Sequence, residues 1–393
     1  MNQELLLEEV RNYLASHIHT HPATFALQKH PFDNITSQEL TQQLVGMQKA
    51  ITKFPSLYKN PNVLYPPKVN LEQTSSELTA NYKAKLALGE TFIDLTGGFG
   101  LDVYAFAKAG LRTTHIEQNN SLAVYSRQLF KAFSLTVETR TGDGIALLTR
   151  EGRPYDTIYL DPGRKTHKTQ KAIQLEDYEP NVLDYLEVLL QRCRRLLIKT
   201  SPMLDITAGL SALKYVRELH VVAVKNEVKE MVWVIQNSKH PIQGHTQISC
   251  VNILSEQENF SFVEGENNDS IEFSEPLKYL YEPNAAIMKA QAFGELASRY
   301  GMKKLATSSH LFTSQLRHRF PGRVFQIIKV QRYKPKLIKR NYGNGRYGVV
   351  ARNFKIPVAA IREKFNLGEN RQQYLFFTTD HAQQQIVIEV TKL

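Results

Sequence analysis

The segment Thr91-Phe92-Ile93-Asp94-Leu95-Thr96-Gly97-Gly98-Phe99-Gly100-Leu101-Asp102 constrains this chain more than any other. A short apolar run breaks into glycines, then resumes as an amphipathic stretch through Val103, Phe106 and Ala107. That order predicts a buried parallel strand, a tight turn and a helix start. Glycines suit such a turn because backbone there approaches a ligand closely or takes positive φ. The helix N-terminus behind them favours an electron-rich group. Arg112 to Ile116 reads as a second strand ending on Glu117, at the spacing where a carboxylate holds ribose hydroxyls. A nucleoside-containing cofactor is the first expectation.

A dinucleotide site wants G-x-G-x-x-G, but Val103 stands where the third glycine belongs. Two further features point away from a pyrophosphate. Thr141-Gly142-Asp143-Gly144 follows a third strand and supplies a carboxylate where an adenine amine would sit. Tyr155 to Leu160 is a fourth strand that ends in Asp161-Pro162-Gly163-Arg164 at the mouth of the sheet. In this ordered set, from about 73 to 236, the chain resembles the class I S-adenosylmethionine-dependent methyltransferases. The resemblance implies an α/β fold with a Rossmann-like core: a mostly parallel seven-stranded sheet with an antiparallel hairpin. It also implies S-adenosyl-L-methionine as cofactor. Asp94 and the loop Gly97, Gly98 and Gly100 would hold its methionine part, Glu117 the ribose and Asp143 the adenine. Thr96, Asp102, Gln118 and Gly144 complete that set, and Asp161 would face the methyl group.

Ser75 or Ser76, followed by Glu77, opens a helix ahead of the first strand. The residues read as a capped helix with Leu78, Tyr82 and Leu86 on one face. In methyltransferases resembling this chain, such a Ser/Thr-x-Glu start closes over the cofactor, and the two readings are compatible. Strands are expected near 91–95, 112–116, 135–139, 155–160 and 195–200, with helices between them. That alternation indicates a parallel sheet with ligands beyond the carboxyl ends of its strands. Arg217 to Val224 and Val228 to Gln236, joined by Lys225-Asn226-Glu227, read as an antiparallel pair, which argues against a dehydrogenase.

At 393 residues the chain exceeds one typical domain. Residues 1–71 read as helical, with a capping box at Thr36-Ser37-Gln38-Glu39. The methyltransferase core is expected at 72–237. A connecting α+β domain of ferredoxin-like type is expected at 238–322, and a basic domain at 323–393. No apolar run is long enough to span a bilayer, and the N-terminus is acidic and amphipathic rather than a signal peptide. Only Cys193 and Cys250 are present, so no disulfide framework or thiolate zinc site is implied. A reducing, cytoplasmic setting is expected. His17, His19 and His21 alternate, but no acidic or cysteine ligand lies close by. They read as a polar helix end, and no metal is expected.

Charge is distributed unevenly. Between Glu295 and Glu363 there is no acidic residue but there are 16 Lys and Arg. The whole chain nets +11, so everything outside that interval is net acidic. A local basic patch points to a polyanionic partner. From Gly322 onward strands interleave with cations and with Phe325, Tyr333, Tyr342, Tyr347 and Phe354. Here, and at Tyr281-Glu282-Pro283-Asn284-Ala285-Ala286, the chain resembles the THUMP-like domain attached to a bacterial group of methyltransferases. The resemblance implies RNA as partner. Independently, cations neutralise phosphates and exposed aromatics stack on unpaired bases. Arg332, Lys334, Lys336, Lys339 and Arg340 are the candidate contacts. A helix is expected from Ala285 to Arg299, with Asn284 as its cap; a further role for Glu282 or Asn284 stays open.

Methyl transfer needs a nucleophile aligned with the S–CH3 bond, so much of the catalysis comes from positioning. Asp161 can accept a hydrogen bond from an exocyclic amine and localise its lone pair, while Pro162 stiffens the turn. The tetrad lacks the aromatic that amino-methyltransferases usually carry after D/N-P-P. Asp-Pro-x-Arg also resembles pyrimidine-carbon methyltransferases acting on RNA, which need a cysteine after the next strand. Lys199-Thr200-Ser201-Pro202 stands there instead, and Cys193 is expected in the preceding helix. Arg164, Lys165 and Lys199 are candidates for substrate contact; surface solvation is the plainer reading of Arg164 and Lys165. The expected function is methyl transfer to an rRNA or tRNA base. The alternatives are a methyltransferase for a small molecule or protein, and a non-catalytic RNA-binding protein with a residual cofactor fold. Oligomeric state is not legible.

Overall fold

The computed structural model describes residues 1–164, 174–236, 246–266 and 270–393. The chain divides into two compact units. The first comprises Met1–Glu218 and Glu230–Gln243, the second Leu219–Lys229 and Gly244–Leu393. The expected domain boundary at 237/238 lies outside the described residues.

The first unit opens with short helices, of which Ser37–Lys53 is the longest. Its capping box is present: the Glu39 backbone amide donates to Thr36 Oγ1 at 3.2 Å, and the Thr36 amide donates to Glu39 Oε2 at 2.9 Å. Two orphan amides of the first turn are thereby satisfied. The buried face of these helices joins the core of the α/β layer. Ala50, Phe54, Leu57 and Leu71 pack in one cluster with Phe92, Val103, Phe106 and Phe130.

Nine strands follow in chain order: β1 (Thr91–Asp94), β2 (Arg112–Glu117), β3 (Val137–Thr141), β4 (Tyr155–Leu160), β5 (Gly163–Arg164), β6 (Tyr178–Glu179), β7 (Cys193–Thr200), β8 (Val216–Val224) and β9 (Glu227–Gln236). Within the first unit the order is β3-β2-β1-β4-β7-β9. All pairs are parallel except β9 against β7, where Ile198 faces Trp233. β1, β4 and β7 are mostly buried, with Phe92, Ile93, Ile158, Leu160, Leu196, Leu197 and Ile198 in the core, as a sheet covered on both faces requires. The order reverses between β1 and β4, so ligands are expected outside the carboxyl ends there. β8 and β9 are joined by Lys225 and Asn226, at φ 50° and 65°, the conformation of a tight hairpin turn. Glu227 already belongs to β9, so the connection is one residue shorter than expected. β5 and β6 pair antiparallel beyond the end of β4.

The second unit adds β10 (Gln247–Ile253), β11 (Phe260–Val263), β12 (Tyr279–Pro283), β13 (Lys303–Lys304), β14 (Phe312–Ser314), β15 (Gly322–Arg332), β16 (Gly348–Ala351), β17 (Gln373–Thr379) and β18 (Gln385–Lys392). Seven of them form one sheet in the order β13-β14-β12-β15-β18-β17-β16. The single helix expected from Ala285 to Arg299 is two, Ala285–Ala290 and Phe293–Tyr300. The chain breaks at Gln291, at φ 55°, and the second helix lays Phe293 on the His310 ring at 4.4 Å. Replacing Thr36 with Ala should cost about 1 kcal/mol, and replacing it with Ser almost nothing. Urea unfolding checks this; equal midpoints for all three proteins would contradict the capping assignment.

Candidate active site

The turn after β1 holds its shape by three devices. Gly98 and Gly100 take φ 55° and 86°, where a side chain is strained. A Cβ on Gly97 would stand 2.3 Å from the His115 ring, so that position admits no side chain. Beneath the turn, His115 Nε2 lies 3.3 Å from the Gly98 carbonyl, and Ser126 Oγ donates to the same oxygen at 2.8 Å. Above it, Gly98 N donates to Glu117 Oε2 and Asn119 N to Oε1, each at 2.7 Å. Glu117 therefore clamps the turn as well as marking the end of β2.

The turn opens on a cavity of about 490 Å³. Asp94, Thr96, Gly97, Gly98, Gly100 and Asp102 form one side, and Asp161, Pro162, Arg164 and Lys199 another. Tyr178, brought back by the β5–β6 pair, also lines it. That ring supplies an aromatic near Asp161-Pro162 that the tetrad itself lacks. Asp94 accepts from the Thr96 amide at 2.8 Å and from its hydroxyl at 3.1 Å, and Thr96 Oγ1 accepts from the Asp161 amide at 2.7 Å. One threonine thus ties β1 to the end of β4. Burial pushes the Asp94 carboxyl well above the usual range; the Thr96 amide opposes this, and the Asp102 charge adds to it.

Behind this wall lies a buried ionic network. Lys83 is fully buried, 3.0 Å from Asp102 Oδ1 and 3.1 Å from Glu230 Oε1, and donates to Ser75 Oγ at 2.7 Å. Ser75 and the Tyr159 hydroxyl donate to Asp102 Oδ2 at 2.9 and 3.2 Å. Burial disfavours the Lys83 charge, but Asp102 and Glu230 outweigh it, so its pKa rises. Nearby, Lys199 Nζ donates to both oxygens of Asp161, at 2.8 and 2.9 Å. Burial disfavours the Lys199 charge as well, and the Asp161 carboxylate again reverses the balance.

The other expected residues fall as follows. Asp143 caps the helix Gly144–Glu151 through Ala146 N, and its second oxygen accepts from Gln118 at 3.3 Å. Ser76 caps the helix Glu77–Ala84, whereas Glu77 accepts from the Ser56 amide and hydroxyl. Neither lines the cavity; Thr74 and Ser75 do. Arg164 hydrogen-bonds Ser201, and Lys165 lies outside the described residues. Cys193 opens β7 instead of sitting in the preceding helix, and burial pushes its thiol up to about 12, so it is no nucleophile. Among the described residues no cluster of three or more His, Cys, Asp or Glu could hold a metal.

In the second unit, Arg332, Lys334, Lys336, Lys339 and Arg340 are exposed around the helix Pro335–Tyr342. The interleaved aromatics do not accompany them to the surface. Phe325 and Tyr342 are buried, and Tyr333, Tyr347 and Phe354 pack against the core beside Phe377. The stacking surface expected from them is therefore absent; the alternation in sequence reflects strand and helix faces. Asn284 caps its helix through Ile287 N.

Sequence reading missed Lys83, Tyr159, Tyr178 and Glu230, and offered Ser75 only as a helix cap, a place that Ser76 takes. One signal was available: the Glu230 carboxylate directly abuts the apolar run Met231 to Ile235. A carboxylate drawn into a buried strand calls for a buried partner.

Lys83→Met should cost about 3–5 kcal/mol, because two carboxylates lose their shared counter-ion in the interior. A loss under about 1 kcal/mol in urea unfolding would show that the network is not stabilising. His115 makes a second prediction. Burial lowers its pKa to about 4. Its Nδ1 has no partner, so protonation would bury an unsatisfied N–H. The unfolded chain takes up that proton below about pH 6.5, so stability from this residue falls as pH drops from there toward 4, by at most about 1.4 kcal/mol per unit. The stability advantage of wild type over His115→Gln should narrow across that window; a constant gap would contradict it.

Family models match two stretches of the second unit: a ferredoxin-like domain at 279–321 and a THUMP domain-like module at 322–392. No curated protein matches the chain. Among solved structures, the crystal structure of a protein from Porphyromonas gingivalis W83, assigned as a methyltransferase, is similar at TM-score 0.87 and 27% identity, covering 100% of this chain and 99% of that one. A protein from Listeria monocytogenes, assigned as a class I S-adenosylmethionine-dependent methyltransferase, is similar at TM-score 0.39 and 12% identity, over 63% of this chain and 94% of that one. The Thermus thermophilus 16S rRNA N2 G1207 methyltransferase, with AdoMet and guanosine, reaches TM-score 0.31 at 15% identity over 44% of each chain. No helix among the described residues is long and apolar enough to cross a membrane. The chain has the class I S-adenosylmethionine-dependent methyltransferase fold, joined to a ferredoxin-like and a THUMP-like domain.

Proposed function

We propose that this chain is an S-adenosylmethionine-dependent methyltransferase acting on an RNA base, with the THUMP-like domain capturing the RNA. The observation that carries the reading is the meeting of the glycine turn, Asp94 and Asp161-Pro162 on one cavity at the switch point of the sheet. The residues fit the cofactor. Glu117 spends one lone pair of Oε2 on the Gly98 amide and one of Oε1 on the Asn119 amide, and each oxygen retains another for a ribose hydroxyl. Gln118, after β2, and Asp143, after β3, meet for the adenine edge, with Gly144 beside them. The buried carboxylates Asp102 and Glu230 and the half-buried Asp161 face two ammonium groups, Lys83 and Lys199. The excess negative charge favours a cationic ligand over its neutral product.

S-adenosylmethionine, when bound, supplies an electrophilic methyl group. Asp94, Thr96 and the loop Gly97–Gly100 would orient it, and Asp102 is held in the wall by Lys83, Ser75 and Tyr159. Asp161 keeps a lone pair on each oxygen beyond its Lys199 bonds and can accept a hydrogen bond from a base amine. Lys199 thus positions Asp161 and keeps one N–H for a substrate contact. Pro162 fixes the turn, and Tyr178 supplies an apolar wall against a planar base. Arg164 is placed to meet a phosphate. Ser76 and Glu77 act by holding the helix that carries Lys83.

The reading predicts that Asp161→Asn abolishes methyl transfer while S-adenosylmethionine affinity changes less than about threefold. Undiminished transfer would remove Asp161 from the mechanism. Asp94→Ala and Glu117→Ala should each weaken cofactor binding about tenfold or more, the order of one charge-assisted hydrogen bond; unchanged titration calorimetry would overturn those roles. Mass spectrometry of modified nucleosides, in cells with and without the gene, identifies the target. No difference in RNA, with transfer to a small molecule or protein, would favour that rival. RNA binding without any transfer would favour a non-catalytic binder.

A further inference from the structure

The second unit contains a cleft of about 380 Å³ that the basic patch around 332–340 does not include. Four guanidinium groups line it: Arg323, Arg352, Arg362 and Arg371. They come from β15, the end of β16, the helix Val358–Phe365 and the loop before β17. Such convergence from separate parts of the chain is unlike the run of neighbouring cations on a solvated helix.

Two of the four are held in place by one buried carboxylate. Glu282, on β12, accepts from Arg323 Nε at 2.6 Å and from Arg352 at 3.0 Å (Nε) and 2.7 Å (Nη2). Its side chain is only 7% exposed, against 30% and 43% for its two partners. The carboxylate is thus behind the arginines, and they reach past it toward solvent. Arg362 donates weakly to the carbonyls of Leu367 and Gly368, at 3.3 and 3.2 Å. Arg371 is exposed, with no hydrogen bond or ion pair among the described residues. Against four positive charges stand Glu282 and Glu369, leaving an excess of two. The Tyr374 ring lines the same cleft, half-buried, 5.7 Å from the Arg323 guanidinium.

Fixed guanidinium forks match phosphate oxygens bidentately, and an aromatic beside them offers a face to a base. We infer that the cleft lined by Arg323, Arg352, Arg362, Arg371 and Tyr374 binds a single-stranded ribonucleotide segment through its phosphates, with Glu282 as the residue that positions Arg323 and Arg352. This rests on the RNA reading above and gives that reading a built site. It also gives Glu282 the role that its place in Tyr281-Glu282-Pro283-Asn284 left open.

The test uses the full chain and a short fluorescein-labelled oligouridylate, with anisotropy titrations over a range of salt. Arg371→Ala should weaken binding about tenfold, the order of one charge-assisted hydrogen bond, and reduce the log–log salt slope by about 0.7. Glu369→Gln should tighten binding, because it removes the competing charge. Both positions are exposed, so both variants should melt as wild type does. Lys336→Ala should change affinity less than Arg371→Ala. If wild type binds the oligomer and neither Arg371→Ala nor Glu369→Gln alters it, the cleft assignment falls while the RNA reading stands. If wild type fails to bind even at low salt, the RNA reading falls and the cleft assignment falls with it. Polyglutamate should compete poorly; equal competition would replace the ribonucleotide with an acidic protein surface and overturn the inference.

Discussion

A fully buried ammonium holds the wall of the candidate site together. Lys83 leaves the helix Glu77–Ala84, meets Asp102 at the start of the helix after the glycine turn, and meets Glu230 on β9. Three elements far apart in sequence are fixed to one another by a charge that none could bury alone. Asp102 and Glu230 both depend on this one ammonium as their counter-ion. Ser75 and Tyr159 complete the donors to Asp102. The N-terminal helices share in this arrangement: the Ser56 amide and hydroxyl anchor Glu77 at the head of the Lys83 helix.

The central fold was legible because its signals are local. Apolar runs in Phe92-Ile93 and Thr157–Leu160 specify strands, and glycines at 97, 98 and 100 specify the turn that only they can make. The convergence of Asp94 and Asp161 on one rim followed from chain alternation, since every parallel strand delivers its carboxyl end to the same edge. What was not legible depends on pairings across long separations. Lys83 and Glu230 are 147 residues apart, and nothing near either names the other. Lys199 read as a substrate contact because a lysine at a strand end usually faces solvent; its grip on Asp161 shows only in three dimensions. Tyr178 was hidden for the same reason, arriving through a two-residue strand that pairs with Gly163–Arg164.

The basic third of the chain shows the limit of composition more sharply. An acid-free interval announced a polyanion partner, yet the aromatics within it are core residues. The cations also separate into two kinds. Those on the helix Pro335–Tyr342 are individually solvated, whereas Arg323 and Arg352 are aimed by a buried carboxylate. Counting charge gives both the same weight; only the second arrangement lowers the entropy lost on binding.

The central claim is that the glycine turn and the carboxylates around it grip a sulfonium nucleoside. A crystal soaked with S-adenosylmethionine tests it most directly. The account predicts density for the methionine part over Gly97–Gly100, the ribose at Glu117 and the sulfonium within reach of Asp161. A cavity still empty at saturating ligand, or a nucleoside bound away from that rim, would contradict it.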